Sequence, residues 1–142
     1  MRLRLILLGK TRRPELRSLF DDYVKRISHS TSIEVIEVRD AEAAIKRLDA
    51  DRAVTALLLD AGGKPQDSES LARWLAERRD HGTREIILIC GDADGFPEAL
   101  SKRVTQRLSL SPMTYSHELA RVMLAEQLYR AFAILSGSPY PK

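Results

Sequence analysis

Strand-like apolar runs and helical segments alternate five times along the 142 residues, and this order predicts an α/β fold: a mainly parallel sheet flanked by helices. Two observations carry the prediction. "AVTALLLD" (53–60) and "REIILIC" (84–90) are continuous apolar runs, as expected for strands buried on both faces. The segments that separate the runs place apolar residues at helical spacing, as in Leu16, Leu19, Phe20, Tyr23, Val24 and Ile27.

Taken in order, residues 2–9 read as a strand. "TRRPEL" is a turn whose Pro14 suits the first turn of a helix over 14–28. "SIEVIEVR" (32–39) is a partly alternating strand, and Asp40 can cap a helix over about 41–50. The strand at 53–60 leads into the loop "AGGKPQD". Ser68 then caps a helix that carries Leu71, Trp74 and Leu75 and ends near Gly82. After the strand at 84–90 and the loop "GDADGF", Pro97 opens a helix to about 106. "RLSLS" (107–111) is a short strand, and the last helix covers about 117–136, ending at Gly137. No linker, internal repeat or low-complexity segment interrupts the chain, so residues 1–142 read as one domain.

Composition narrows the class. A 44% hydrophobic and 30% charged chain is an ordinary soluble globule, large enough to bury a core without a disulfide or a metal. Cys90 stands alone, which excludes an internal disulfide framework and fits a reducing cytoplasm. The opening "MRLRLILLGK" has too short an apolar run for a membrane span and no small-residue cleavage site, so it reads as a strand and not a signal peptide. The net charge of +3 is compatible with a polyanionic partner.

In a parallel sheet, the loops that follow the strands share one edge, and ligands bind there. Three of these loops are chemically unusual: "LLLDAGGKPQ", "ICGDADGFPE" and "LSPMTYSH". Their glycines permit close approach of a ligand to the backbone. Ser111, Thr114 and Tyr115 add hydroxyls, which suits a neutral heterocycle such as adenine; three ordinary turns is the competing reading. Several sharper motifs are absent. There is no G-x-G-x-x-G, no phosphate-binding G-x-x-x-x-G-K-[ST] and no G-x-S-x-G. His29, His81 and His117 are scattered without metal-ligand spacing, so no metal is expected.

The last helix is apolar nearly all the way round. At about 100° per residue, Leu124, Leu128, Phe132 and Leu135 surround the direction of Arg121, while Leu119, Met123 and Ile134 share the opposite side with Glu126, Gln127 and Arg130. Burial on both sides suggests a homodimer built on this helix; a central helix in a monomer is the alternative. Arg121 lies where the helix dipole disfavours a cation. It either pairs with Glu118 or meets an anionic ligand group or RNA phosphate, with His117 one turn away. Lys10, Arg12 and Arg13 form a basic cluster after the first strand, read either as solvated surface or as phosphate contacts.

"LLLDAGGK", "CGDADGF", "LSLSPMTYSHELARVMLAEQLYRAF" and the closing "PYPK" resemble the RlmH (YbeA) family of SPOUT RNA methyltransferases, most densely over 108–132. The resemblance implies a SPOUT fold with a C-terminal trefoil knot and a homodimer. It further implies a methyltransferase that uses S-adenosylmethionine to make N3-methylpseudouridine in large-subunit ribosomal RNA, acting on the assembled ribosome. Cofactor contacts carry over to Leu59, Gly91, Leu110, Ser111, Pro112, Met113, Thr114 and Tyr115, and the catalytic assignments fall on Arg121, His117 and Tyr140. Arg121 is the candidate for stabilising the anion that develops as N3 loses its proton.

Three departures from the family pattern stand out. Asp92 replaces the second glycine of a G-G pair, Pro141 replaces a histidine in the terminal P-Y-H-K, and the segment before the third strand is short. A non-catalytic ribosome-binding SPOUT protein and a SPOUT methyltransferase with another RNA target are the competing readings.

Overall fold

The computed structural model describes residues 1–48 and 54–138. Five strands form one parallel sheet: β1 (Arg2–Leu8), β2 (Ser32–Val38), β3 (Val54–Leu59), β4 (Glu85–Cys90) and β5 (Gln106–Leu108). Their order is β2-β1-β4-β3-β5. The helices are α1 (Pro14–Ile27), α2 (Ala41–Lys46), α3 (Ser68–Asp80), α4 (Glu98–Arg103) and α5 (His117–Leu135). The α/β architecture with a parallel sheet flanked by helices is the one the alternating pattern predicts.

The sheet is central, and each face has its own core. Leu3, Leu5, Leu7, Ile86, Leu88 and Cys90 pack against Phe20, Ile27, Leu71, Leu75, Val122 and Leu128 from α1, α3 and α5. Ile6, Leu8, Leu58, Ile87 and Ile89 face the other way, onto Ala41, Ala44 and Leu100 of α2 and α4. All six residues of β4 are buried, which explains the apolar run from Ile86 to Cys90; Glu85 at its start is the buried exception. Within its own layer α5 packs against both α1 and α3. Much of its two-sided apolar character is therefore satisfied inside one chain.

Several element ends differ from the sequence expectation. The cap of α3 is Asp67, whose side chain accepts from the Ser70 N–H at 2.7 Å. Ser68 is the first helical residue instead, and its hydroxyl donates to Gln127 on α5. Pro97 is the residue before α4 and lies outside it; α4 ends at Arg103 because Val104 is extended and leads into β5. The last strand is shorter than "RLSLS". After Leu108 the pairing survives only as an isolated bridge between Ser109 and Pro65, since a proline has no N–H to continue the ladder. The helix after Asp40 spans six residues; residues 49–50 of the expected 41–50 helix and residue 53 of the expected 53–60 strand lie outside the described residues. Among the described residues no helix is long and apolar enough to cross a membrane, and no cluster of acidic, His or Cys side chains could hold a metal.

Candidate active site

β1, β3 and β4 end side by side, with Leu7 opposite Cys90 and Leu59 opposite Cys90 on the other flank. The loops that leave β3, β4 and β5 therefore meet at one edge of the sheet. They enclose a cleft of about 320 Å³, a volume in the range of small-molecule sites. Leu59, Gly91, Leu110, Ser111, Met113, Thr114 and Tyr115 line it, and so does His117. Pro112 bends the third loop without joining the lining, and Arg121 does not reach it either. Tyr140 and Pro141 lie outside the described residues.

Each wall has a local cause. Asp60 closes the first loop: its carboxylate accepts from the Gly62 N–H at 2.9 Å, and its carbonyl from the Gly63 N–H at 3.0 Å. Arg107 pairs with the same carboxylate at 3.3 Å, tying this loop to β5. Gly63 is required for that approach, because a Cβ there would stand 2.8 Å from the Arg107 Cβ.

The second loop is a turn in which the Gly95 N–H donates to the Asp92 carbonyl at 3.0 Å. The Asp92 carboxylate accepts from the Asp94 N–H at 2.8 Å, a side-chain mimic of a turn that explains how an aspartate is accommodated here. Gly95 adopts a positive φ of 79°. A Cβ on Gly91 would lie 2.9 Å from the Gly95 carbonyl oxygen, so Gly91 is needed to close the loop on itself before any ligand is considered.

Buried Ser109 organises the third loop, donating toward the carbonyls of Ser111 (3.1 Å) and Ala61 (3.3 Å). The Ser111 hydroxyl in turn accepts from the Met113 N–H at 3.0 Å. Met113 is left 72% exposed at the rim. Ser116 caps α5, and His117 follows.

Arg121 is fully buried. Its guanidinium donates to the carbonyls of Leu8 (2.7 Å) and Gly9 (3.1 Å) and to the Thr11 hydroxyl (3.0 Å). Burial lowers its pKa from the usual arginine value. Glu118 is also buried, and its two carboxylate oxygens accept the N–H groups of Arg12 and Arg13, each at 3.0 Å. Those amides, Arg12 first, hold its pKa below the usual glutamate range. Both side chains therefore grip the loop after β1, where the sequence offered a Glu118–Arg121 pair or a ligand contact. His117 stands 3.8 Å from the same carboxylate. Cys90, at the floor of the cleft, has its thiol pushed up to about 12 by burial.

The sequence does not single out Asp60 or Phe96, and it offers Glu118 only as a partner for Arg121. Asp60 and Phe96 sit inside the motifs quoted above, at the loop boundaries. The role of Glu118 toward the loop after β1 has no local signal, since the amides it binds lie more than a hundred residues earlier.

Comparison with known proteins agrees with this geometry. The family described as "Predicted SPOUT methyltransferase" matches residues 1–141. A protein named ribosomal RNA large subunit methyltransferase H from Pelobacter propionicus is 40% identical, over 99% of this chain and 99% of its own. Proteins of the same name from Koribacter versatilis and Geotalea daltonii are 41% and 38% identical, each over 99% of this chain and 97% and 99% of their own. The order of the parallel sheet, the cleft at its carboxyl edge and these full-length similarities agree, and the chain belongs to the SPOUT methyltransferases, in the ribosomal RNA large subunit methyltransferase H family.

Proposed function

We infer that this protein is an S-adenosylmethionine-dependent methyltransferase of large-subunit ribosomal RNA, producing N3-methylpseudouridine in the stem-loop that faces the small subunit. The observation that supports it most is the three-loop cleft in a chain of this family. The cleft suits the cofactor chemically. Leu59, Ala61, Phe96 and Leu110 offer apolar surface to an adenine, and Gly95 leaves open space where a side chain would stand. Asp60 and Asp92 contribute negative charge to the walls, appropriate for a cationic sulfonium. S-adenosylmethionine supplies an electrophilic methyl group when bound.

The chain's own residues position the acceptor and handle the N3 proton. The imide N–H is weakly acidic, so the protein's contribution is largely orientation and stabilisation of a developing anion. His117 is the titratable group of the cleft best placed to share that proton. Arg121 enters this reading as a positioning residue, because it does not line the cleft and its Nη1 and Nη2 groups are engaged with Leu8, Gly9 and Thr11. The family resemblance adds Tyr140 as a third catalytic candidate.

The reading takes residues 1–142 as one SPOUT domain with the trefoil knot of its family, working in the cytoplasm on assembled ribosomes, without a metal. It includes a homodimer through α5. Leu119 is 39% exposed, and Met123 and Ile134 on the same side are half-buried.

Mass spectrometry of nucleosides from large-subunit rRNA, from cells with and without the protein, tests the assignment. Loss of N3-methylpseudouridine on deletion is the expected result. Loss of a different methylated nucleoside would replace the target. No change, together with binding to ribosomes, would favour a non-catalytic binder.

A further inference from the structure

The loop after β1 carries three exposed cations, Lys10, Arg12 and Arg13, and among the described residues none forms an ion pair. Elsewhere on the surface arginines and lysines are commonly paired, as in Arg17–Glu37, Arg26–Asp22 and Lys102–Glu98. An exposed loop rich in cations ordinarily has many backbone conformations. This one is held from beneath at five points. Arg121 binds the carbonyls of Leu8 and Gly9 and the Thr11 hydroxyl, and Glu118 binds the amides of Arg12 and Arg13. Both anchors belong to the first turns of α5, whose His117 lines the cleft. The anchors use backbone and one hydroxyl: the Glu118 carboxylate takes two amides, and Nη1 and Nη2 of Arg121 reach two carbonyls and the Thr11 hydroxyl, so neither anchor engages the neighbouring cationic side chains.

The geometry points to the Gly9–Arg13 loop as a preformed phosphate grip for the RNA substrate, held by Glu118 and Arg121 beside the mouth of the cleft. The inference rests on the RNA-methyltransferase reading above and adds the surface that receives the backbone. Phosphate contacts fix register and orientation. A loop ordered before binding avoids the entropic cost of ordering several residues on contact. Guanidinium forks bind carboxylate and phosphate oxygens in the same bidentate geometry, so the choice of an RNA backbone over an acidic protein surface comes from the RNA-methyltransferase reading on which the inference rests.

The test uses the full chain, purified ribosomes and two readouts, co-sedimentation for binding and methyl transfer for activity. Arg12→Glu with Arg13→Glu should weaken ribosome binding ~10-fold or more and flatten its logarithmic salt dependence by about 1 to 2. The affinity for S-adenosylmethionine should stay within about twofold, since neither side chain lines the cleft. Lys46→Glu with Lys102→Glu makes the same change in net charge on the other face of the sheet and should leave ribosome binding within about threefold. Glu118→Ala separates anchoring from bulk charge. Removing a carboxylate beside three cations tightens RNA binding if only charge matters, and weakens it if the loop must be held. Equal weakening in the two charge-reversed pairs, or tighter binding by a folded Glu118→Ala, would overturn the inference. If the wild type binds ribosomes through this loop yet transfers no methyl group, the grip stands and the enzymatic reading falls.

Discussion

At the amino ends of β1 and β4, Glu85 meets Arg2 and Arg4, charge against charge; at the carboxyl ends, Arg121 and Glu118 meet backbone. Glu85 is 5% exposed and takes the Arg2 Nε–H at 2.7 Å, with an Arg4 nitrogen at 3.3 Å and Glu34 beyond it at 3.4 Å from Arg4. This cluster joins neighbouring strands and closes the bottom of the core. The other pair joins a helix to a loop. Charges that satisfy one another need no particular backbone path around them, whereas charges that satisfy carbonyls and amides dictate one. The first arrangement serves the sheet, and the second fixes the shape of the edge where the cleft lies.

The largest effect that would test this contrast is on stability. Arg121→Met keeps much of the volume but strips the Leu8 and Gly9 carbonyls of a buried donor, which should cost about 3–5 kcal/mol. Glu85→Gln keeps a hydrogen-bond acceptor, and Arg2 can turn toward water, so about 1–2 kcal/mol is expected there. Urea unfolding of both variants measures the difference. Equal losses would mean that the two ends are energetically alike.

Gly91→Ala has a smaller effect on stability and a larger one on the cleft. The added methyl meets the Gly95 carbonyl oxygen, and opening that turn should cost about 1–3 kcal/mol. Calorimetry should show S-adenosylmethionine binding reduced ~10-fold or more. Unchanged affinity would show that the second loop can shift without disturbing the ligand site.

The smallest effect concerns pH. Because the folded-state pKa of Glu118 is depressed, its contribution is fully present above the unfolded value of about 4.3 and is lost as pH falls through the folded value. Glu118→Gln should therefore flatten the acid limb of the stability curve by roughly 1 kcal/mol while leaving the amino-terminal cluster untouched. An acid limb identical to wild type would assign acid sensitivity to other carboxylates.

Two segments show how legibility in the sequence depended on distance along the chain. "REIILIC" announces a buried strand because burial on both faces leaves a run of apolar side chains in consecutive positions, whereas "AVTALLLD" gives a strand in which only Leu57 and Leu58 are buried and the other described residues are half-buried. The three cleft loops were legible for a similar reason: each follows a strand directly and keeps its glycines and hydroxyls within a few residues. Gly91 was read as a point of approach for a ligand, and in the structure its Cβ position is taken by Gly95, a contact four residues away that needs a closed turn to exist. Arg121 was legible as an anomaly and no more. Its position against the helix dipole called for compensation, and Glu118 was the nearest acid in sequence.

What the sequence determined by itself was the alternation of elements, the buried central strand β4 and the three loops at one edge, because these follow from side-chain periodicity and local turn chemistry. Only the tertiary structure decided what Arg121 and Glu118 do. Leu8, Gly9, Thr11, Arg12 and Arg13 lie more than a hundred residues from α5. They reach it because β1 enters the middle of a parallel sheet and α5 crosses over that face beside α1. A backbone carbonyl or amide carries no mark of its partner in the residue that bears it. The acceptor for a buried guanidinium can be read only after the fold has placed a strand end beneath it.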